Sequence, residues 1–131
     1  MNILETDHWC VLLPPEWSAD YDDDVVRISD ADEVGEIEVT TLCKDSGMVT
    51  SSEITAMAKD ESPEVGSWQS SEIGQFTGVT GSFLDEDTHI QEWYVSANAV
   101  LLYITYVCDA ENAGMDDAAV IEILGTLVVA D

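Results

Sequence analysis

Residues 100–108 read Val-Leu-Leu-Tyr-Ile-Thr-Tyr-Val-Cys. In an extended chain successive side chains point to opposite faces. Val100, Leu102, Ile104, Tyr106 and Cys108 then line one face, and Leu101, Tyr103 and Val107 the other. A strand that is apolar on both faces has to be covered on both. This segment is therefore expected at the centre of a sheet, with material packed on each side.

The rest of the chain can be arranged around it. Residues 8–13 form a short apolar run ended by Pro14-Pro15, which cannot continue a ladder. Trp17 follows that stop. Residues 20–24 read as an acidic turn, 25–29 as a second strand and 30–33 as a second acidic turn. In residues 36–43, Ile37, Val39 and Thr41 face one way and Glu36, Glu38 and Thr40 the other, the pattern of a half-exposed strand. Thr50-Ser51-Ser52-Glu53 is a capping box opening a helix, with Ile54, Met57 and Ala58 at helical spacing and Pro63 as the stop. Residues 66–71 read as a loop containing Trp68. Residues 73–84 are strand-like but carry Gly74, Gly78 and Gly81, which suggests bulges or close backbone approach. Asp85-Glu86-Asp87 and Ala97-Asn98-Ala99 are turns around a strand at 89–96. A last helix covers about 116–127, with Val120, Ile123, Leu124 and Leu127 on one side. The expected class is α+β: a single domain over 1–131 with a mainly antiparallel six- or seven-stranded sheet and helices packed on both faces.

Charge limits function more than fold. Twenty-eight Asp and Glu face only Arg27, Lys44 and Lys59, a formal net charge of −25. Most of these carboxylates have no cation to pair with inside the chain and belong in water, because burying an unpaired carboxylate is costly. Such a field repels nucleic acid and anionic membranes and attracts basic proteins and cations. Composition still supports a core, since 46% of residues are hydrophobic. Cys10, Cys43 and Cys108 are odd in number and widely spaced, so buried free thiols in a reducing cytoplasm are expected rather than a disulfide framework. The first residues lack a basic segment followed by an apolar one, so no signal peptide is expected. No apolar run approaches the ~20 residues of a membrane span.

The pattern resembles the Mog/PsbP-like superfamily of small α/β/α domains. The likeness rests on the opening strand running into Pro14, Pro15 and Trp17, and on the strand and capped helix over residues 35–59. It rests further on the meander through Gly78, Phe83, Trp93, Tyr94 and Asn98 into Leu101-Leu102-Tyr103-Ile104-Thr105-Tyr106, and on the helix ending Ile123-Leu124-Gly125-Thr126-Leu127. The resemblance implies that fold and a role in binding other macromolecules. Members include a Ran-binding nuclear import factor, a photosystem subunit and bacterial adaptor chaperones for secretion effectors. No binding residue of those families carries over, and the near absence of Lys and Arg sets this chain apart from them.

Catalytic and metal motifs are missing. There is no nucleophile elbow and no phosphate loop. His8 and Cys10 would share a strand face, but ordinary partly buried strand residues account for them better than a catalytic pair. Asp20-x-Asp22-x-Asp24 alternates like the start of an EF-hand, yet Val25 stands where glycine is needed and Ala31 where the bidentate glutamate belongs. Asp85-x-Asp87-x-His89 lacks both as well. No cofactor, metal site or catalytic residue is therefore expected. The expected role is a non-enzymatic, monomeric protein-binding module, adaptor- or immunity-like, whose acidic surface takes a basic or amphipathic partner. Candidate contacts are Trp68 and Trp17 with the acidic runs Asp22, Asp23, Asp24 and Asp85, Glu86, Asp87. The competing role is a small-ligand or divalent-cation-binding domain.

Overall fold

The structure, a computed structural model, describes residues 2–22, 25–31, 34–45, 47–115 and 117–130. In chain order the strands are β1 (Asn2–Glu5), β2 (Trp9–Leu13), β3 (Trp17–Asp22), β4 (Val25–Asp30) and β5 (Gly35–Cys43). Helix α1 (Ser51–Glu61) follows, then β6 (Gln69–Ile73), β7 (Phe76–Asp85), β8 (Thr88–Ala97), β9 (Val100–Asp109), helix α2 (Asp117–Gly125) and β10 (Val128–Val129). Seven strands form one antiparallel sheet in the order β3-β4-β5-β9-β8-β7-β6, and β1-β2-β10 form a separate three-stranded one.

The doubly apolar strand, β9, is central, between β5 and β8. Its even-numbered residues, from Leu102 to Cys108, join Val26, Ile28, Ile37, Val39, Trp93 and Val95 in the main core. That core is closed by Val120, Ile123 and Leu124 from α2, by Leu127 just after it, and by Leu4, Trp9, Val11 and Leu13 from the small sheet. The small sheet was not expected: residues 8–13 pair with β1 and β10, not with the large sheet. The Trp9 indole N–H donates to Thr41 Oγ1 at 2.8 Å and ties the two sheets together.

On the other side of the large sheet, Ile54 and Ala58 of α1 pack with Tyr94 and Leu101. The capping box is present, with Glu53 N–H donating to Thr50 Oγ1 (3.2 Å) and Thr50 N–H to Glu53 Oε1 (3.1 Å). The Lys44 ammonium, 2.8 Å from the Glu53 carboxylate, holds that carboxyl below its ordinary range.

Several boundaries differ from expectation. Residues 20–22 are not a turn but the end of edge strand β3. Residues 69–71 begin β6 instead of continuing a loop. The stretch 73–84 is interrupted at Gly74, whose φ of 60° puts it first in the two-residue loop between β6 and β7. Glu86 and Asn98 occupy the same position in the next two hairpins, at φ 57° and 54°. Cys10 is half-buried and Cys43 is exposed; of the three cysteines only Cys108 is buried.

Candidate partner-binding surface

Strand register shows which side chains share a face, since directly opposed residues point the same way. One row across the large sheet runs Asp20, Arg27, Glu38, Thr105, Glu92, Gly81. The row beside it runs Asp22, Val25, Thr40, Tyr103, Tyr94, Val79. Both lie on the side that carries α1. Helix α1 packs against β7 and β8 and reaches Leu101 at the start of β9, leaving β3, β4, β5 and the rest of β9 as the open half. There Val25, Arg27, Ser29, Glu36, Glu38, Thr40, Tyr103, Thr105 and Val107 are half-exposed. The opposite side chains of the same strands, such as Ile37 and Ile104, are fully buried at 0%.

The open half is acidic. Arg27 is its one cation, with Nη1 3.0 Å from Asp22 and Nε 3.2 Å from Glu38. The hydrogen bonds to Asp22 and then Glu38 push the guanidinium further up from its already high value. Asp20, opposite Arg27, and Glu36, opposite Ser29, add further acid to this face.

At the seam with α1 sits a polar chain under aromatic cover. Glu92 is only 5% exposed, although it is a carboxylate in the middle of a sheet. Its Oε2 accepts from the Tyr103 hydroxyl, while its buried Oε1 has no hydrogen-bond partner among the described residues. Burial pushes the Tyr103 phenol well above its ordinary value, and the hydrogen bond and charge of Glu92 push the same way. Tyr94 lies against Tyr103 with ring centres 4.8 Å apart, and its hydroxyl meets Ser62 Oγ at 2.9 Å. Burial raises the Tyr94 phenol too. Trp68 stands edge-on to Tyr94 at 5.6 Å. The segment bearing it fits because residue 81 is glycine: a Cβ there would come within 2.4 Å of Val65 and 3.2 Å of the Trp68 ring.

The residues expected from sequence are scattered. Trp68 is half-buried in this cluster. Trp17 is 5% exposed and part of the main core, so it offers no surface. Asp22 is at the end of edge strand β3, while Asp23 and Asp24 lie outside the described residues. Asp85, Glu86 and Asp87 are exposed at the β7–β8 hairpin. Asp22 lies in the row of Tyr103 and Asp85 in the row of Asp109. That separates them by about 20 Å along the strands and about 24 Å across them. Asp22 and the run Asp85, Glu86, Asp87 therefore do not meet in one surface.

His8 does not pair with Cys10. Its ring lies against Cys43 instead, with Sγ 3.4 Å from Nε2 and 3.6 Å from Nδ1. Near-equal distances place the sulfur alongside the ring, not in line with one nitrogen's lone pair, which is poor geometry for proton transfer. Among the described residues no group of three or more His, Cys, Asp or Glu could hold a metal ion, and no helix is long and apolar enough to cross a membrane.

This architecture is a PsbP-like α+β fold. No protein-family profile matches the sequence, and no curated protein is similar to it in sequence. Two solved structures share the fold. One is cyanobacterial PsbP (CyanoP) from Synechocystis sp. PCC 6803, with TM-score 0.65 and 13% identity over 95% of this chain and 88% of that one. The other is a protein of Bacteroides thetaiotaomicron, with TM-score 0.67 and 12% identity over 94% of this chain. This chain spans less than half, 45%, of the Bacteroides protein. At such identities the likeness is one of fold.

Proposed function

We propose that the chain is a non-enzymatic, cytoplasmic protein-binding module that docks a basic or amphipathic partner on the open half of the large sheet. The observation that carries this reading is the uncovered β3-β4-β5-β9 face, where Asp20, Asp22, Glu36 and Glu38 surround a single Arg27. A sheet face whose reverse side is fully buried is rigid, so a partner meets a preorganised array of charge. The excess of acid steers basic partners and repels acidic ones. The PsbP-like fold agrees with an adaptor or inhibitor role, and the scattered carboxylates give no support to a metal-dependent one.

The test is affinity capture at low and high salt with wild type, a Glu36→Gln/Glu38→Gln double variant and an Asp85→Asn/Glu86→Gln/Asp87→Asn triple variant. A dominant basic partner that is lost at high salt and in the double variant, but kept by the triple one, is the expected result. Equal capture by wild type and the double variant would move the interface off this face. No partner under any condition would overturn the protein-binding role.

A further inference from the structure

Glu92 poses a question that the binding surface alone does not answer. A carboxylate with 5% exposure and one unpartnered oxygen is an expensive thing to keep inside a sheet. None of the chain's three cations forms an ion pair with it among the described residues: Arg27 is engaged with Asp22 and Glu38, Lys44 with Glu53, and Lys59 is exposed in the last turn of α1. Its neighbours in the row are Gly81 on β7 and Thr105 on β9. The Gly81 side is filled by Val65 and Trp68. The Thr105 side opens onto the exposed half of the face, where Thr105 is short and half-exposed. Beyond Thr105 in the same row stands Glu38.

Thr105 is thus the floor of a gap between two carboxylates whose Cα atoms are about 10 Å apart, two strand spacings. Along β9 the gap is walled by Tyr103 on one side and Val107 on the other. We propose that this gap takes one lysine side chain of a protein partner, with its ammonium between Glu38 and Glu92 and its alkyl stem against Tyr103 and Val107. This deepens the binding role proposed above and rests on it.

The chemistry favours ammonium over guanidinium. Acceptors on opposite sides of a narrow slot suit a compact head with donors pointing several ways, whereas a guanidinium needs a carboxylate in its own plane for a two-pronged contact. The wall residues suit a slim apolar stem, and the tyrosine ring adds cation–π attraction. Glu92 Oε1 is itself shielded, so the ammonium gains it as a partner when the carboxylate turns toward the gap. The charges facing an incoming ammonium are Glu92 from β8, Glu38 and Glu36 from β5, and Arg27 from β4. Arg27 is the only positive one and is neutralised by Asp22 and Glu38.

The test uses trilysine peptide at constant ionic strength, followed by backbone amide shifts and Trp68 fluorescence. Shifts centred on Thr105, Glu92, Tyr103 and Gly81 are expected. Glu92→Gln and Glu38→Gln should each weaken binding about tenfold or more, and the 85–87 triple variant should leave it unchanged. Thr105→Lys puts an ammonium into the gap from within the chain. It should abolish peptide binding and melt higher than the uncharged Thr105→Met. Thr105→Lys with wild-type affinity would overturn the assignment. Weakening by Glu38→Gln but not by Glu92→Gln would also overturn it while leaving the acidic face as the docking surface. Tighter binding of spermidine than of trilysine would identify the ligand as a free polyamine, and displacement by CaCl2 but not by NaCl of equal ionic strength would identify it as a divalent cation. Either would overturn the lysine assignment.

Discussion

The two sides of the large sheet are built from the same strands and follow opposite rules. On one side Ile37, Val39, Val95, Leu102 and Ile104 are at most 2% exposed, sealed by α2 and the small sheet. On the other, α1 covers the β7 and β8 strands and leaves a half-exposed acidic field over β3, β4, β5 and β9. The first side can hold the fold without charge. The second can then carry unpaired carboxylates that a more even division of labour would not tolerate. Glu92 and Tyr103 sit on the border, and they share in both roles.

The largest contrast is expected between truncations on the two sides of β9. Ile104→Ala, on the sealed side, should cost about 2–5 kcal/mol, the transfer and cavity loss of a fully buried isoleucine. Val107→Ala, half-exposed on the open side, should stay below about 1 kcal/mol. Urea unfolding of both variants reads the difference, and equal losses would mean that the open face is sealed in solution. Next in size is Gly81→Ala, which pushes a methyl into Val65 and the Trp68 ring. It should cost about 1–3 kcal/mol and red-shift tryptophan emission as the 62–68 segment lifts. An unchanged spectrum would show that the segment does not lie on β7.

How far the sequence foretold this depends on the element. β9 was legible because its pattern forces a central place. α1 was legible because a capping box satisfies backbone donors that any helix start leaves free. β3 and β6 were not. Trp17-Ser-Ala-Asp-Tyr-Asp and Gln69-Ser-Ser-Glu-Ile are edge strands with a solvated side, and the polar residues that protect such edges are also those that make turns. Gly74, Gly78 and Gly81 look alike in sequence; only the hairpin at Gly74 and the packing at Gly81 tell them apart. The candidate site was half visible. Glu36 and Glu38 alternate outward from Ile37 and Val39, but nothing in the sequence marks Glu92, among 28 acids, as one that is buried. That follows from which strand lies beside which, and local periodicity does not contain it.

Tyr103→Phe probes the border between the two sides. It removes the one described donor to Glu92 and should cost about 1–2 kcal/mol near neutrality. The sign of its pH dependence is fixed by the raised phenols. In the unfolded chain tyrosines lose their protons near pH ~10. In the folded one, burial keeps Tyr103 and Tyr94 protonated to higher pH. Their contribution is thus complete below about pH 10 and is lost as pH rises through the alkaline range, where the unfolded state binds fewer protons. Removing one of the two phenols should make that loss shallower, so wild type and variant run parallel up to about pH 10 and converge only above it. Curves parallel throughout would mean that Tyr103 titrates normally.

The smallest expected change in stability comes from Arg27→Gln, and it is the one that separates the two sides most cleanly. The Arg27 contacts to Asp22 and Glu38 are exposed, with side-chain accessibilities of 39%, 60% and 42%. Ion pairs in such places contribute little to folding and are screened by salt. Unfolding midpoints should therefore barely move. Binding should move the other way: without its one cation, the open face is more negative and should hold trilysine a few-fold tighter at low salt. The gain should vanish near 1 M salt, where the screening length falls to about 3 Å. A substitution on the sealed side weakens the fold, with binding lost only as the fold is lost. Arg27→Gln should leave the fold in place and strengthen binding, and weaker binding in this variant would mean that the guanidinium itself contacts the partner.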